Sequence, residues 1–408
     1  MPYACRMLLL GAAAALLAAP YAAGQQSATG KMKAFPREEP GSLPGYCPTR
    51  GAAARDWQAG EIEGCTMLDL YSQGINATVM TELSIILALH GARQSVPAPP
   101  CCKLPDRPSP DRYTCFLRFT GTQVTWLELA RQMLTDPEHR WEDPEYNAEA
   151  TEGIEAVADM LDANRQINTV RLGENHLGPA HASVIAPALR GKSGLTVLLL
   201  DKNEIGAIGA KSLADALGAS ESHVTELDLA SNSLGDEGAA AVGAALATSP
   251  SVAIISLEGN SIGPDGVSPS FHSALKINTQ LERLVLRSNQ VGSAGAVAMA
   301  GGLAENPASG LLSMDMFANG LEDDAAEALA AALRAPGVQL QELGLAKNKL
   351  GDEGATALAK ALESNAALPL RTLILAGNQI GDIGAAALLA ALKANTMLTT
   401  LDVSFICK

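Results

Sequence analysis

The chain has 408 residues, with 44 acidic against 29 basic side chains, a net charge of −15 and a pI near 4.9. That balance excludes strong binding to phosphate backbones by the chain as a whole, which needs a basic surface. Apolar residues make up 47% and charged residues 18%, which excludes a disordered chain, while only 4% aromatics exclude a conventional core packed with Phe and Trp.

The first thirty residues read as a targeting segment. Arg6 is followed by an uncharged run whose apolar heart is Met7–Ala19, ended by Pro20. Ala22 and Gly24 supply small residues at −3 and −1, so residues 1–24 read as a secretory signal peptide cleaved after Gly24. The heart is too short to cross a ~30 Å hydrocarbon core comfortably as a helix. Two alternatives stand beside this reading. Lys31, Lys33 and Arg37 follow closely, as they would in an organelle transit peptide, and an uncleaved anchor is the third option.

Residues 25–149 form a Pro/Cys-rich N-terminal segment. Residues 1–150 hold 14 of the 22 prolines, 6 of the 7 cysteines and 12 of the 15 aromatics. Cys47, Cys65, Cys101, Cys102 and Cys115 are clustered without a CxxC pair, which favours disulfides over zinc, although five is odd and any four allow three connectivities. Asn76-Ala77-Thr78 is an N-glycosylation triplet that matters only if the chain is exported. Leu68, Leu70, Gln73 and Ile75 have the spacing of a decayed strand from the array described next, and Val79–Leu89 and Trp126–Leu134 have helix-like spacing.

From about residue 150 the composition changes, with 16 basic and 28 acidic residues over 151–408, a net of −12. Asparagines recur here at Asn175, Asn203, Asn232, Asn260, Asn289, Asn319, Asn348 and Asn378, at spacings of 28 to 30. Each sits in one frame, for example Leu229-Ala-Ser-Asn232-Ser-Leu234-Gly235 and Leu375-Ala-Gly-Asn378-Gln-Ile380-Gly381. Alternating leucines such as Leu227/Leu229 and Leu343/Leu345 mark a strand with one face in a core. An asparagine amide beyond the strand can satisfy backbone groups of a buried turn, so the stacked asparagines are expected to form a ladder. Glycines three and six residues later suit a tight turn into an alanine-rich helix such as Gly354–Leu362. No unit can bury its apolar face alone, so stability comes from stacking.

The unit resembles the ribonuclease-inhibitor type of leucine-rich repeat, found also in NOD-like receptors and Ran GTPase-activating proteins. The resemblance covers residues 150–408 as about eight full units plus a truncated ninth. It implies an α/β solenoid, a curved right-handed βα superhelix with parallel strands on the concave face and a less regular N-terminal cap. It also implies non-enzymatic recognition of a protein through that face. A GTPase-activating role and a fragment of a larger NOD-like receptor are the alternatives. Glu152–Asn164 matches only the helical half of a unit and is expected to cap the stack. Unit six departs from the frame at Met314, Met316, Glu322 and Ala325. The last unit places Ile406 where asparagine belongs and stops at Lys408, so a truncated product is expected there, or an uncapped edge that associates with a partner or a second copy.

Apparent catalytic motifs dissolve into the repeat. Gly259-Asn260-Ser261-Ile262-Gly263 matches GxSxG, yet Ser261 occupies a slot filled elsewhere by Glu204, Gln290 and Lys349. Gly191-Lys192-Ser193 lacks the first glycine of a phosphate loop, since Ala186 stands there. His176 and His181 straddle a turn read as exposed, with no HExxH in the chain. No catalytic residue, metal site, cofactor, nucleic-acid partner or membrane span after the leader is therefore expected. The binding candidates are variable strand-face residues: Asp201, Glu226, Asp228 and Glu258 in units two to four, Arg283 and Arg287 in unit five, and Asp315 and Phe317 in unit six. They are read either as recognition residues or as solvated strand residues.

Overall fold

The computed structural model describes residues 46–47, 67–69, 126–128, 152–163, 167–190, 194–218, 222–364 and 368–404. The signal peptide, Cys65, Cys101, Cys102, Cys115, Asn76, Lys192 and Lys408 lie outside the described residues.

One parallel sheet runs through the described chain with its strands in sequence order. Its first three strands are short: β1 (Tyr46–Cys47), β2 (Met67–Asp69) and β3 (Trp126–Glu128). Nine three-residue strands follow: β4 (Thr169–Arg171), β5 (Val197–Leu199), β6 (Glu226–Asp228), β7 (Ile254–Ser256), β8 (Arg283–Val285), β9 (Ser313–Asp315), β10 (Glu342–Gly344), β11 (Thr372–Ile374) and β12 (Thr400–Asp402). The helices are α1 (Glu152–Ala163), α2 (Pro179–Leu189), α3 (Gly206–Leu217), α4 (Gly235–Thr248), α5 (Pro264–Val267), α6 (Ser270–Ile277), α7 (Gly292–Ala304), α8 (Asp323–Leu333), α9 (Asp352–Ser364) and α10 (Asp382–Ala391). From β3 to β11 each strand is followed by helix before the chain returns one strand along, which gives an open α/β solenoid.

Each strand is short because only its middle residue is needed in the core. Leu198, Leu227, Ile255, Leu284, Met314, Leu343 and Leu373 occupy that position and are buried. Their neighbours on either side point to the open face and are half-buried in most strands. Registration is one-to-one, for example Val197↔Glu226↔Ile254↔Arg283 across β5 to β8. Met314 and Met316 substitute for leucine in unit six without leaving the core, as flexible apolar side chains can. The core is one apolar cluster from Ile154 to Ala391, and Phe271 is its largest fully buried side chain.

Three expectations need correction. Trp126–Leu134 is not helical throughout, since Trp126–Glu128 is strand β3 and pairs in parallel with β4. Leucines at 127 and 129 satisfy a strand period as well as a helical one, and the neighbouring sheet edge selects the strand. Glu152–Asn164 is consequently not a helical half-unit: α1 follows a strand, and β2 and β1 extend the sheet further towards the N terminus. Finally, the glycines six residues beyond the asparagine serve helix packing. A Cβ on Gly209 would stand 2.9 Å from the Ala182 Cβ, and one on Gly384 2.8 Å from the Ala355 Cβ. Among the glycines three beyond the asparagine, Gly206, Gly235 and Gly292 do make the turn, with φ near +60°.

Candidate functional site

The turn after each strand is built around its asparagine. Asn260 is fully buried; its amide nitrogen donates to the carbonyls of Leu229 (2.8 Å) and Glu258 (3.2 Å). Its Oδ1 accepts the N–H groups of Asn232 (2.8 Å) and Leu234 (3.3 Å) in the preceding unit. The same cross-unit bonds recur at Asn203, Asn289 and Asn348, which hold Asn175, Asn260 and Asn319. Asn232, Asn319 and Asn378 likewise accept from Ile205, Val291 and Leu350 of the unit before. Each unit is thus tied to its neighbours by groups that water cannot reach.

Two further sets of polar residues brace the stack. Asp236, Asp323 and Asp352 open helices and accept backbone N–H groups of the next unit; Asp352 Oδ1 takes those of Gly381 (2.8 Å) and Gly384 (2.7 Å). On the returning side, buried Asn278, Asn306 and Asn395 donate to the carbonyls of Leu246, Leu275 and Leu362. The asparagine frame did not expose this second series. Its sequence signal is a Leu-x-x-Asn step that recurs at Leu275/Asn278, Leu303/Asn306, Leu362/Asn365 and Leu392/Asn395.

These braces hold the strand face in a fixed register and bring the eight candidate residues onto one surface. Glu226 and Asp228 flank Leu227 in β6, while Asp201 and Glu258 follow β5 and β7. Arg283 lies in β8, with Arg287 just beyond it. The Arg287 guanidinium meets Asp315 at 3.0 Å and Glu258 at 3.6 Å, and its carbon stands 4.5 Å from the centre of the Phe317 ring. Lys347 Nζ lies 5.2 Å from the same centre. Phe317 is thus an aromatic ring within reach of two cations. Arg283 meets Glu342 at 3.5 Å. Lys347 and Glu342 were missed because each takes its role from another unit: Lys347 from Phe317, 30 residues earlier, and Glu342 from Arg283, 59 residues earlier and two strands away.

Burial pushes the Asp228 carboxyl up from its ordinary range, and nearby Asp201 and Glu258 add to the shift against hydrogen bonds from the Ala230 N–H and Ser256. Glu226 is also raised, first by burial and then by Asp228, with Arg283 opposing. In both groups burial is the first cause, and the neighbouring acids add to it.

The catalytic look-alikes are structural. Ser261 is an exposed turn residue at φ 57° beside buried Asn260, in the turn position that Lys349 and Glu204 hold in other units. His176 Nδ1 lies 2.8 Å from Glu204 Oε1 on the surface. His181 is buried, contrary to expectation, and its Nδ1 accepts the Gly178 N–H at 2.8 Å. It holds the slot that glycine fills in other units, facing the stack. Among the described residues no group of His, Cys, Asp or Glu is arranged to hold a metal ion, and no helix is long and apolar enough to cross a membrane.

An open parallel sheet of strand, asparagine turn and helix units defines a leucine-rich repeat solenoid. A Leucine Rich repeat family model matches residues 221–243, 278–300, 340–359 and 368–389. The repeats are of the ribonuclease-inhibitor type. The chain is 28% identical over 274 residues to the ribonuclease inhibitor of Sus scrofa, an alignment covering 59% of each chain. It is also 28% identical over 217 residues to NACHT, LRR and PYD domains-containing protein 14 of Mus musculus, covering 53% of this chain and 22% of that protein. The chain thus spans about three fifths of the one relative and about a fifth of the other. The solved structure of the leucine-rich repeat-containing protein LegL7 from Legionella pneumophila matches with a TM-score of 0.42 and 16% identity, covering 81% of this chain and 87% of that one.

Proposed function

We propose that the protein is a non-enzymatic recognition module that binds a protein partner through the concave strand face. The observation that carries this is the convergence of Asp201, Glu226, Asp228 and Glu258 with the Arg287–Phe317 contact on one face, held in register by the asparagine and aspartate bonds between units. A rigid, pre-organised surface of half-buried charges loses little entropy on binding and discriminates by charge. The similarity to a ribonuclease inhibitor and to NACHT, LRR and PYD domains-containing proteins supports protein binding as the general role.

The test is charge reversal at two positions of the face. Asp228→Lys with Glu258→Lys should reduce capture of an identified partner at least about tenfold. Unchanged capture by a folded variant rejects this face. The same reading includes export: removal of residues 1–24 and disulfides among Cys47, Cys65, Cys101, Cys102 and Cys115. N-terminal sequencing of the mature protein should begin at Gln25, and an intact Met1 would reject export by this route.

A further inference from the structure

The carboxylates of the strand face fall into two groups. Glu258 and Asp315 are paired with Arg287, and Glu342 with Arg283. Asp201, Glu226 and Asp228 form no ion pair with a lysine, arginine or histidine among the described residues. Asp228 repels Asp201 and Glu226, with only Arg283 opposing at Glu226, and partial burial strips these groups of hydration. The raised carboxyls of Glu226 and Asp228 report both effects. An arriving cation would relieve the repulsion and replace the lost hydration.

The same surface has an apolar component in register. Glu226 lies between Val197 and Ile254 of the neighbouring strands, and Asp228 between Leu199 and Ser256. Val197, Leu199 and Ile254 are half-buried on the open face. Strands about 4.8 Å apart place these groups within a patch roughly 10 Å wide. A cation that suits both components carries its charge at the end of an apolar stem, as lysine and arginine do. A divalent ion would use the carboxylates alone, and they are not grouped for one.

Building on the concave-face reading above, we propose that Asp201, Glu226 and Asp228, with the aliphatic flanks Val197, Leu199 and Ile254, dock a lysine- or arginine-bearing segment of a partner protein. Arg283, in register beside Ile254, and Arg287 end this patch on the β8 side. The Arg287 guanidinium is held by Glu258, Asp315 and the Phe317 ring, and the two arginines repel a cationic segment that extends past β7 and thereby set where the segment lies.

The probes are a labelled hexa-arginine peptide and its hexa-citrulline counterpart, titrated by fluorescence anisotropy against the full chain at low ionic strength. The arginine peptide should bind about tenfold tighter than the citrulline one, and Glu226→Gln with Asp228→Asn should remove that advantage. The helix-side pair Asp324→Asn with Glu327→Gln, which changes net charge equally, should keep it, and Arg287→Ala should tighten binding. Equal affinity of the two peptides, an equal loss in the helix-side pair, or full displacement by millimolar calcium would each overturn the proposal. Because the Gln/Asn pair is nearly isosteric, its thermal midpoint should not fall, which separates lost binding from lost fold. If charge reversal abolishes partner capture while the peptides do not discriminate, the cationic-segment proposal fails and the concave-face reading survives.

Discussion

Asn260 shows how much one side chain can hold in a stacked fold. Its amide satisfies the Glu258 carbonyl of its own unit and, across the boundary, the Leu229 carbonyl and the Asn232 and Leu234 N–H groups. Removing it leaves buried backbone groups unpaired, so Asn260→Ala should cost at least about 2 kcal/mol of unfolding free energy, whereas Ser261→Ala beside it should stay within about 0.5 kcal/mol. Denaturant unfolding of both variants measures the contrast. The ladder was legible in the sequence because a buried amide is needed at the same point of every unit, which writes a period into the chain. His181 was not legible in the same way. Its slot is buried by the neighbouring helix, and a single imidazole in a glycine position looks like a surface exception until the stack is seen. The Arg287–Phe317 contact was also hidden, since residues 30 apart meet only once the repeat length becomes a strand spacing.

Helices pack at a distance set by their smallest residues. Gly301 and Gly302 are adjacent in α7, yet they face different surroundings. A Cβ on Gly302 would stand 2.3 Å from the backbone oxygen of His272 in α6, while one on Gly301 would meet only the His272 ring at 3.5 Å. Gly302→Ala should therefore destabilise by about 1–3 kcal/mol through overpacking, and Gly301→Ala should stabilise by about 0.5–1 kcal/mol through helix propensity. Thermal unfolding of the two variants gives opposite signs. Helix starts carry a comparable dependence: Asp352→Ala removes the acceptor for Gly381 and Gly384 and should cost about 1–2 kcal/mol. The strand and helix order from β4 onward followed from the leucine, asparagine and alanine frame. The short strand β3 did not, because Gln132 stands where the frame has asparagine and leucines at 127 and 129 fit either period.

Across the whole molecule, negative charge is used in three different ways. Some carboxylates cap helices and turns, some are paired with arginine, and Asp201, Glu226 and Asp228 on the strand face form no ion pair among the described residues. Two of these three leave a signature in stability. The folded-state pKa values of Glu226 and Asp228 lie above their ordinary values, so protonation favours the folded state. Their contribution is complete below the ordinary carboxylate range and is lost as pH rises through the raised values. Glu226→Gln with Asp228→Asn should therefore flatten the pH dependence of unfolding in that window and raise stability at neutral pH by up to about 0.5 kcal/mol. The composition pointed to a charged solenoid, but which acids stay unpaired depends on cross-strand register, which a period alone cannot assign. Site-specific photo-crosslinking tests most directly whether the strand face is where a partner sits. A benzophenone side chain placed at Val197 or Ile254 should form adducts with the partner, while the same group at the exposed helix positions Val297 or Ile383 should not. Adducts from the helix positions alone, with none from the strand face, would contradict recognition through that face.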